Sequence, residues 1–167
     1  MKKIIIILLL LSFHSSAYAD KNMKIGSYGK LSDVNRTIKV KMYDNFYEPN
    51  FFNIKAGETI KFEVENFGEL VHEFNIANAI MHKQHQPEME KMVENEILFS
   101  DYIDKKKMKK MAKLDKSMGH SHSNSVLLAP KEKKNLIWKF YNIANIEIAC
   151  NVPGHYQAGM IGKVIIN

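Results

Sequence analysis

Short segments in which apolar and polar residues alternate constrain the fold of this chain more than any other feature. In the first of them Ile38, Val40 and Met42 alternate with lysines, the pattern of a strand with one face against a core. Turn residues separate such segments, so the sequence predicts an all-β fold, a Greek-key β-sandwich of about seven strands of antiparallel type. The predicted strands occupy residues 36–42, 51–55, 59–65, 72–76, 126–128, 136–140, 146–150 and 162–166.

Residues 77–124 interrupt the alternation and predict a helical insertion in the sandwich. They are rich in lysine, glutamate, methionine and histidine, and we expect helices over residues 87–98 and 101–116. A proline at position 87 favours that helix start, because proline disfavours helical backbone in the residue before it. The segment 119–125 is small and polar, and we expect it to be an exposed loop.

The N-terminal segment predicts export. A basic start and the apolar run 4–11 precede the small-residue cleavage site at 17–19, which is typical of a signal peptide over residues 1–19. We therefore expect a periplasmic protein without a stable membrane anchor; the alternative is an uncleaved amphipathic anchor. The mature chain is expected to begin with a flexible lead over residues 20–35, followed by one domain over residues 36–167.

The chain has a single cysteine, Cys150, which is unusual for an exported protein. Exported proteins normally pair their cysteines, because their compartment is oxidising. An unpaired thiol there is a thiol that seeks a partner, an accident of sequence, or a metal ligand protected by coordination. The residues around Cys150 favour the third interpretation.

A thiol, an imidazole and a thioether lie close together near the C-terminus, at Cys150, His155 and Met160, and His72 supplies a second imidazole upstream. One thiolate, two imidazoles and a weak axial thioether are the ligands of a type 1 copper centre. Soft sulfur suits copper(I) and imidazole nitrogen suits copper(II), so this set holds both oxidation states. The alternatives are a chance spacing or a structural zinc site, although zinc has little use for a thioether.

Several segments resemble the cupredoxin family over residues 36–76 and 126–167. The resemblance implies a mononuclear type 1 copper cofactor and one-electron transfer with a redox partner protein, such as a cytochrome or a copper oxidase. Within the family, the insertion is similar to that of the periplasmic copper-tolerance cupredoxins, which implies a link to copper stress. The matching segments are Phe46-Tyr-Glu-Pro-Asn, Ile54-Lys-Ala-Gly-Glu-Thr-Ile, Val64-Glu-Asn-Phe-Gly, His72-Glu-Phe and residues 150–164.

One residue departs from the family pattern. Many cupredoxins have Asn or Ser after the first histidine, where its side chain ties the two ligand loops together, but this chain has Glu73. Because hydrogen bonds around the ligands tune a metal site, Glu73 leaves the potential and colour open. The alternative is that Glu73 simply faces solvent.

The ligand loop also suggests a docking patch. It carries Pro153, Tyr156 and Ala158 with few charges around His155. We expect His155 to be the point of electron entry and these residues to surround it. The formal net charge of +6 is too modest to argue for a nucleic-acid partner.

The insertion contains candidate residues for a second, weaker copper site. Thioethers and imidazoles bind copper, and six of the ten methionines lie here. The alternative for the methionines is an apolar stripe that packs the helices onto the sandwich. The candidates are Met81, His82, His85, Met89, Met92, His120 and His122.

Three functions remain open at this stage. The first is a periplasmic electron carrier with a role in copper tolerance, which is not an enzyme. The second is a copper chaperone or sink that relies on the insertion. The third is an oxidase of copper(I), which is disfavoured because oxidases of this lineage need further histidine-rich copper sites.

Overall fold

The computed structural model describes residues 25–141 and 145–167, and the signal peptide expected over residues 1–19 lies outside them. No helix in these ranges has the length and apolar character needed to cross a membrane. The described elements are β1 (Gly26–Tyr28), β2 (Arg36–Tyr43), β3 (Phe46–Glu48), β4 (Phe51–Ile54), β5 (Thr59–Asn66), β6 (His72–Ala77), α1 (Ala79–Glu94), α2 (Lys105–Met111), β7 (Ser125–Leu128), β8 (Lys133–Phe140), β9 (Glu147–Ala149) and β10 (Ile161–Ile166), with short 3-10 turns at Leu31–Asp33 and Lys116–Gly119.

Two five-stranded sheets form the sandwich and confirm the predicted fold class. One sheet has the order β1-β8-β5-β2-β3 and the other β4-β10-β9-β6-β7. Most neighbouring strands pair antiparallel, as expected, but β2 pairs with β5 and β4 pairs with β10 in parallel. Parallel neighbours cannot be joined by a tight hairpin and need a long crossover connection. Here each pair joins strands that are not consecutive in the chain.

The alternating residues of the strands face each other across the sandwich and form its core. Phe52, Phe62, Phe74 and Phe140 are almost fully buried, and the rings of Phe62 and Phe74 lie 5.1 Å apart. Each such side chain contributes about 1.5–3 kcal/mol through burial. The core therefore fixes the strand ends that carry the candidate ligands.

Two short strands occur where none was predicted. Gly26–Tyr28, in the segment expected to be a flexible lead, forms β1 and pairs with Trp138 and its neighbours on β8. Phe46–Glu48 forms β3 beside β2, and its Tyr47 is buried and donates a hydrogen bond to the Glu73 carbonyl. Both segments are extended because a neighbouring strand supplies their hydrogen bonds, and three residues are too few to show alternation.

The insertion is helical, but its boundaries differ from the prediction. The first helix begins at Ala79 instead of residue 87, because the Asn78 side chain caps it by accepting from the Met81 amide. Pro87 lies inside this helix and removes one backbone hydrogen bond. Burial of one helix face offsets that loss. The second helix is shorter than expected and covers only Lys105–Met111.

The insertion begins and ends at neighbouring positions of one sheet. It connects β6 to β7, and these strands pair antiparallel with Asn75 opposite Ser125. The Ile76 amide also donates to the Asn124 carbonyl at 3.0 Å. The sandwich therefore continues from β6 to β7 across the base of the insertion.

Candidate metal centre

Two paired strands bring the candidate ligands to one end of the sandwich. His72 is the first residue of β6 and Cys150 directly follows β9. Because β6 and β9 run antiparallel, with Asn75 opposite Ala149, the start of one lies beside the end of the other. Both side chains are fully buried there.

A sulfur and two ring nitrogens converge at this end. The Sγ atom of Cys150 lies 3.4 Å from Nδ1 of His155 and 3.9 Å from Nδ1 of His72. With metal–sulfur and metal–nitrogen bonds of about 2.3 and 2.0 Å, as known for zinc, a trigonal plane separates sulfur and nitrogen by about 3.7 Å. The two observed distances lie on either side of this value, so the three side chains fit a single metal ion.

The loop between Cys150 and Met160 closes on itself. The Cys150 amide donates to the Met160 carbonyl at 3.2 Å, and the Met160 amide donates to the His155 carbonyl at 3.0 Å. Gly154 and Gly159 adopt φ angles of 89° and 88°, which glycine takes at little cost. These turns bring Met160 back beside Cys150, and its side chain is fully buried.

Asp44 orients the upstream imidazole, a contact that sequence reasoning missed. Its Oδ1 accepts from Nε2 of His72 at 2.8 Å, which leaves Nδ1 of that ring free to face the sulfur. Asp44 also accepts from the amides of Glu69 and Leu70. A Cβ atom on Gly68 would lie 2.3 Å from Oδ1 of Asp44, so glycine is needed for this approach.

The electrostatics of the centre favour a bound cation. Burial raises the pKa of the Cys150 thiol to about 12, although the Glu73 amide donates to its sulfur at 3.2 Å. Burial also lowers the pKa of both His72 and His155. A buried anionic sulfur beside two neutral imidazoles is stabilised when a metal ion supplies the positive charge.

Glu73 does not face solvent but ties the ligand loop to β6. Its side chain is fully buried, and Oε2 accepts from the Asn151 amide at 3.2 Å and from Nδ2 of Asn151 at 2.7 Å. Glu73 therefore makes the connection that Asn or Ser makes in many cupredoxins. Burial opposes its negative charge, but hydrogen bonds from His120 and His85 hold its pKa well below the usual range.

The expected docking residues lie around His155 at the same end. Pro153 and Ala158 are exposed, and His155 and Tyr156 are partly exposed. The Tyr156 hydroxyl donates to Glu147 at 2.6 Å, which fixes its ring beside the start of β9. This surface thus combines an accessible imidazole edge with small and apolar neighbours.

The insertion brings three histidines to the same region. Glu73, His85 and His120 form one group whose potential ligand atoms lie within 4.8 Å of one another, and His85, Glu88 and His122 form another. The expectation that His120 lies in an exposed loop was wrong, because its side chain is only 3% exposed and bonds to Glu73. His120 adopts a left-handed backbone with φ of 44°, which is uncommon for a residue other than glycine.

The other candidates of the insertion are placed differently. His82 is buried and accepts a hydrogen bond from Nδ2 of Asn151, but belongs to neither histidine group. Met89 and Met92 lie in the hydrophobic core, as the packing alternative predicted. Met81 is partly buried and lines a pocket together with His85, Glu88 and His122.

A β-sandwich with a thiol and two imidazoles at one end is the architecture of a cupredoxin. Residues 34–167 match the model of the copper-binding proteins of the plastocyanin/azurin family, and the chain belongs to this family. Copper is therefore its cofactor, and the donor set at the end of the sandwich suits that metal.

Individual relatives agree with this assignment. A protein of Pseudomonas aeruginosa named copper-resistant cuproprotein CopI is 37% identical over 169 residues, covering 96% of this chain and 93% of the relative. A protein of the same name from Rubrivivax gelatinosus is 29% identical over 157 residues, covering 93% and 81%. Among solved structures, auracyanin B has the same fold with a TM-score of 0.60 at 12% identity, covering 85% of this chain and 96% of its own.

Proposed function

We propose that this protein is an exported type 1 copper protein that transfers single electrons and takes part in copper tolerance. In this proposal His72, Cys150, His155 and Met160 would hold the copper ion, which would supply a one-electron couple. The observation that carries the proposal is the approach of two Nδ1 atoms to one buried sulfur, at 3.4 and 3.9 Å.

The surroundings of the centre suit electron transfer. The bound copper supplies a one-electron couple, and little rearrangement accompanies the electron when the ligands are held in place. Asp44 fixes one imidazole, and backbone hydrogen bonds within the ligand loop fix the other ligands. His155 is partly exposed beside Pro153 and Ala158, so a partner that docks there approaches the metal through one imidazole ring.

The role in copper tolerance and the periplasmic location rest on other observations. The relatives from Pseudomonas aeruginosa and Rubrivivax gelatinosus are both named copper-resistant cuproproteins. The N-terminal sequence has the pattern of a signal peptide. An exported copper protein encounters copper before the ion reaches the cytoplasm, which is where a tolerance protein is useful.

Visible and paramagnetic-resonance spectra of copper-loaded protein test the proposal. We expect an intense thiolate-to-copper band at one equivalent of copper. Replacement C150A should abolish that band and leave the circular-dichroism spectrum of the sandwich unchanged. A copper-loaded wild-type protein that stays colourless in oxidant would contradict the proposal.

A copper chaperone or sink is the second candidate, and the histidine groups of the insertion favour it. A carrier binds a single copper ion and exchanges electrons rapidly, whereas a sink binds several ions. Counting the copper bound per chain, together with the rate of electron exchange, separates these two functions.

A further inference from the structure

We propose that Glu73, His85 and His120 form a second site for a copper(II) ion directly behind the type 1 centre, and that Glu73 couples the two sites. Two imidazoles and a carboxylate suit copper(II), which binds such nitrogen and oxygen ligands more tightly than other divalent first-row ions do. None of these three residues supplies a sulfur ligand. A copper ion in the second site should therefore show no thiolate-to-copper band, which distinguishes its spectrum from that of the first.

The geometry around Glu73 carries this proposal. Its Oε1 atom lies 3.0 Å from Nε2 of His85 and 2.7 Å from Nε2 of His120, and Nδ2 of Asn75 donates to the same oxygen at 3.0 Å. The two imidazole rings are 5.5 Å apart. Three nitrogen atoms thus converge on one oxygen in a region where the Glu73 side chain has no exposure.

Further charged groups surround this cluster. Nδ1 of His85 lies 3.0 Å from Oε2 of Glu88, and the same oxygen lies 3.0 Å from Nε2 of His122. The rings of His85 and His122 are 4.7 Å apart. Three imidazoles therefore share two carboxylates. A divalent ion bound between the ring nitrogens and the carboxylate oxygens would take the place of the imidazole protons in these hydrogen bonds.

A route into the site is visible beside it. A pocket of about 180 Å³ is lined by Met81, His85, Glu88 and His122, among others. The side chains of Glu88 and His122 are 36% and 37% exposed, whereas those of His85 and His120 are 9% and 3% exposed. His85 lines this pocket and also belongs to the buried group, so it connects the exposed pair to Glu73 and His120.

Glu73 belongs to the surroundings of both sites. Its amide donates to Sγ of Cys150 at 3.2 Å, and its Oε2 accepts from the amide of Asn151 in the ligand loop. An ion that binds at Oε1 therefore withdraws electron density from the same carboxylate group that accepts the hydrogen bonds of this loop. Because hydrogen bonds to the sulfur tune a type 1 centre, the second ion should shift the thiolate-to-copper band of the first.

Stepwise titration of metal-free mature protein with copper(II) tests the proposal. We expect two bound equivalents, the first with the thiolate band and the second with the paramagnetic-resonance signal of a nitrogen- and oxygen-ligated ion. The thiolate band should shift when the second site fills. The variants H85Q and H120Q should each keep the thiolate band and lose the second equivalent.

The variant K83Q is the matched control, because Lys83 lies exposed on the same helix and outside the cluster. It should still bind two equivalents. A thiolate band in each variant shows that the sandwich has folded. Loss of the second ion in such a variant therefore cannot result from unfolding.

Two results would overturn the proposal. The first is saturation of wild-type protein at one equivalent, which would make the cluster a hydrogen-bonded network only. The second is a second equivalent that H85Q and H120Q retain, which would place the ion elsewhere. Failure of the proposed type 1 function is distinguishable from both, because it removes the thiolate band from the wild-type protein.

Discussion

Asp44 shows how a single residue outside the ligand set prepares the metal centre. It lies 28 residues before His72, in the turn between β2 and β3, and receives hydrogen bonds from that imidazole and from two backbone amides. Burial by itself would raise its pKa, but these hydrogen bonds hold the pKa of the carboxyl below its usual value. Asp44 therefore stays charged and keeps Nδ1 of His72 directed at the sulfur.

Replacement D44A should weaken copper binding by about 10- to 100-fold, because the ring of His72 loses the partner that sets its tautomer and orientation. Competition with a copper chelator of known affinity measures this change. The control D101A removes an exposed aspartate and should bind copper like the wild type. Equal affinities of D44A and wild-type protein would contradict the orienting role.

At this scale the candidate ligands could be selected from the sequence, but the contacts around them could not. Cys150, His155 and Met160 stand out because their residue types and spacing carry the chemistry of copper. Asp44 forms no motif, since it meets His72 only after the chain has folded. Glu73 was recognised as a departure from the family, but its burial depends on the helix that packs over it.

Strands and helices differ in how well the sequence predicted them. All eight segments predicted as strands contain strands. In β2, β5 and β8 the alternation reports one buried face, whereas β6 and β7 are buried throughout. The strands β1 and β3 were missed, since each has three residues and depends on its neighbour for hydrogen bonds. The start of α1 was misplaced because Pro87 is normally a boundary, whereas here the buried face of the helix extends on both sides of it.

The methionines of α1 allow the packing of this helix to be tested. Met92 is fully buried in the hydrophobic core, so M92A should lower the free energy of unfolding by about 2–5 kcal/mol through lost contacts and a cavity. Urea denaturation of metal-free protein measures this loss.

The number of bound copper ions in M92A should equal that of the wild type, since Met92 acts here by packing. The variant M81A, which alters a partly buried residue of the same helix, should lose less stability. A loss of bound copper in M92A without a loss of stability would contradict the packing role and make Met92 a ligand.

In the whole molecule, the metal centre and the histidine cluster lie at one end of the sandwich. The insertion reaches the ligand loop there, where Nε2 of Gln157 donates to Gln86 at 3.1 Å. The surface around His155 remains accessible beside this contact. Electron exchange is therefore expected at the end of the sandwich that carries His155.

A charge beside His155 should slow electron exchange and leave the metal centre unchanged. We expect A158E to reduce the electron self-exchange rate about tenfold, since two molecules that meet at this surface then repel each other. Line broadening in nuclear magnetic resonance spectra of partly oxidised protein measures the rate, and the visible spectrum should not change.

The variant A56E is the control for this experiment. It places the same charge on an exposed alanine whose amide donates to the Asn167 carbonyl. Asn167 follows the end of β10, whereas the ligand loop precedes its start. It should exchange electrons at the wild-type rate. Equal rates for A158E and A56E would rule out the His155 surface as the place of electron entry.

The pairing of β6 with β7 has a consequence for how this molecule can change over evolutionary time. The two strands hold the base of the insertion closed through the pair Asn75–Ser125, so the insertion is in effect one long hairpin loop. Doubling the length of such a loop costs only about 0.6 kcal/mol of closure entropy. Mutations can thus lengthen, shorten or re-equip this segment while the sandwich beneath it keeps the same strand register.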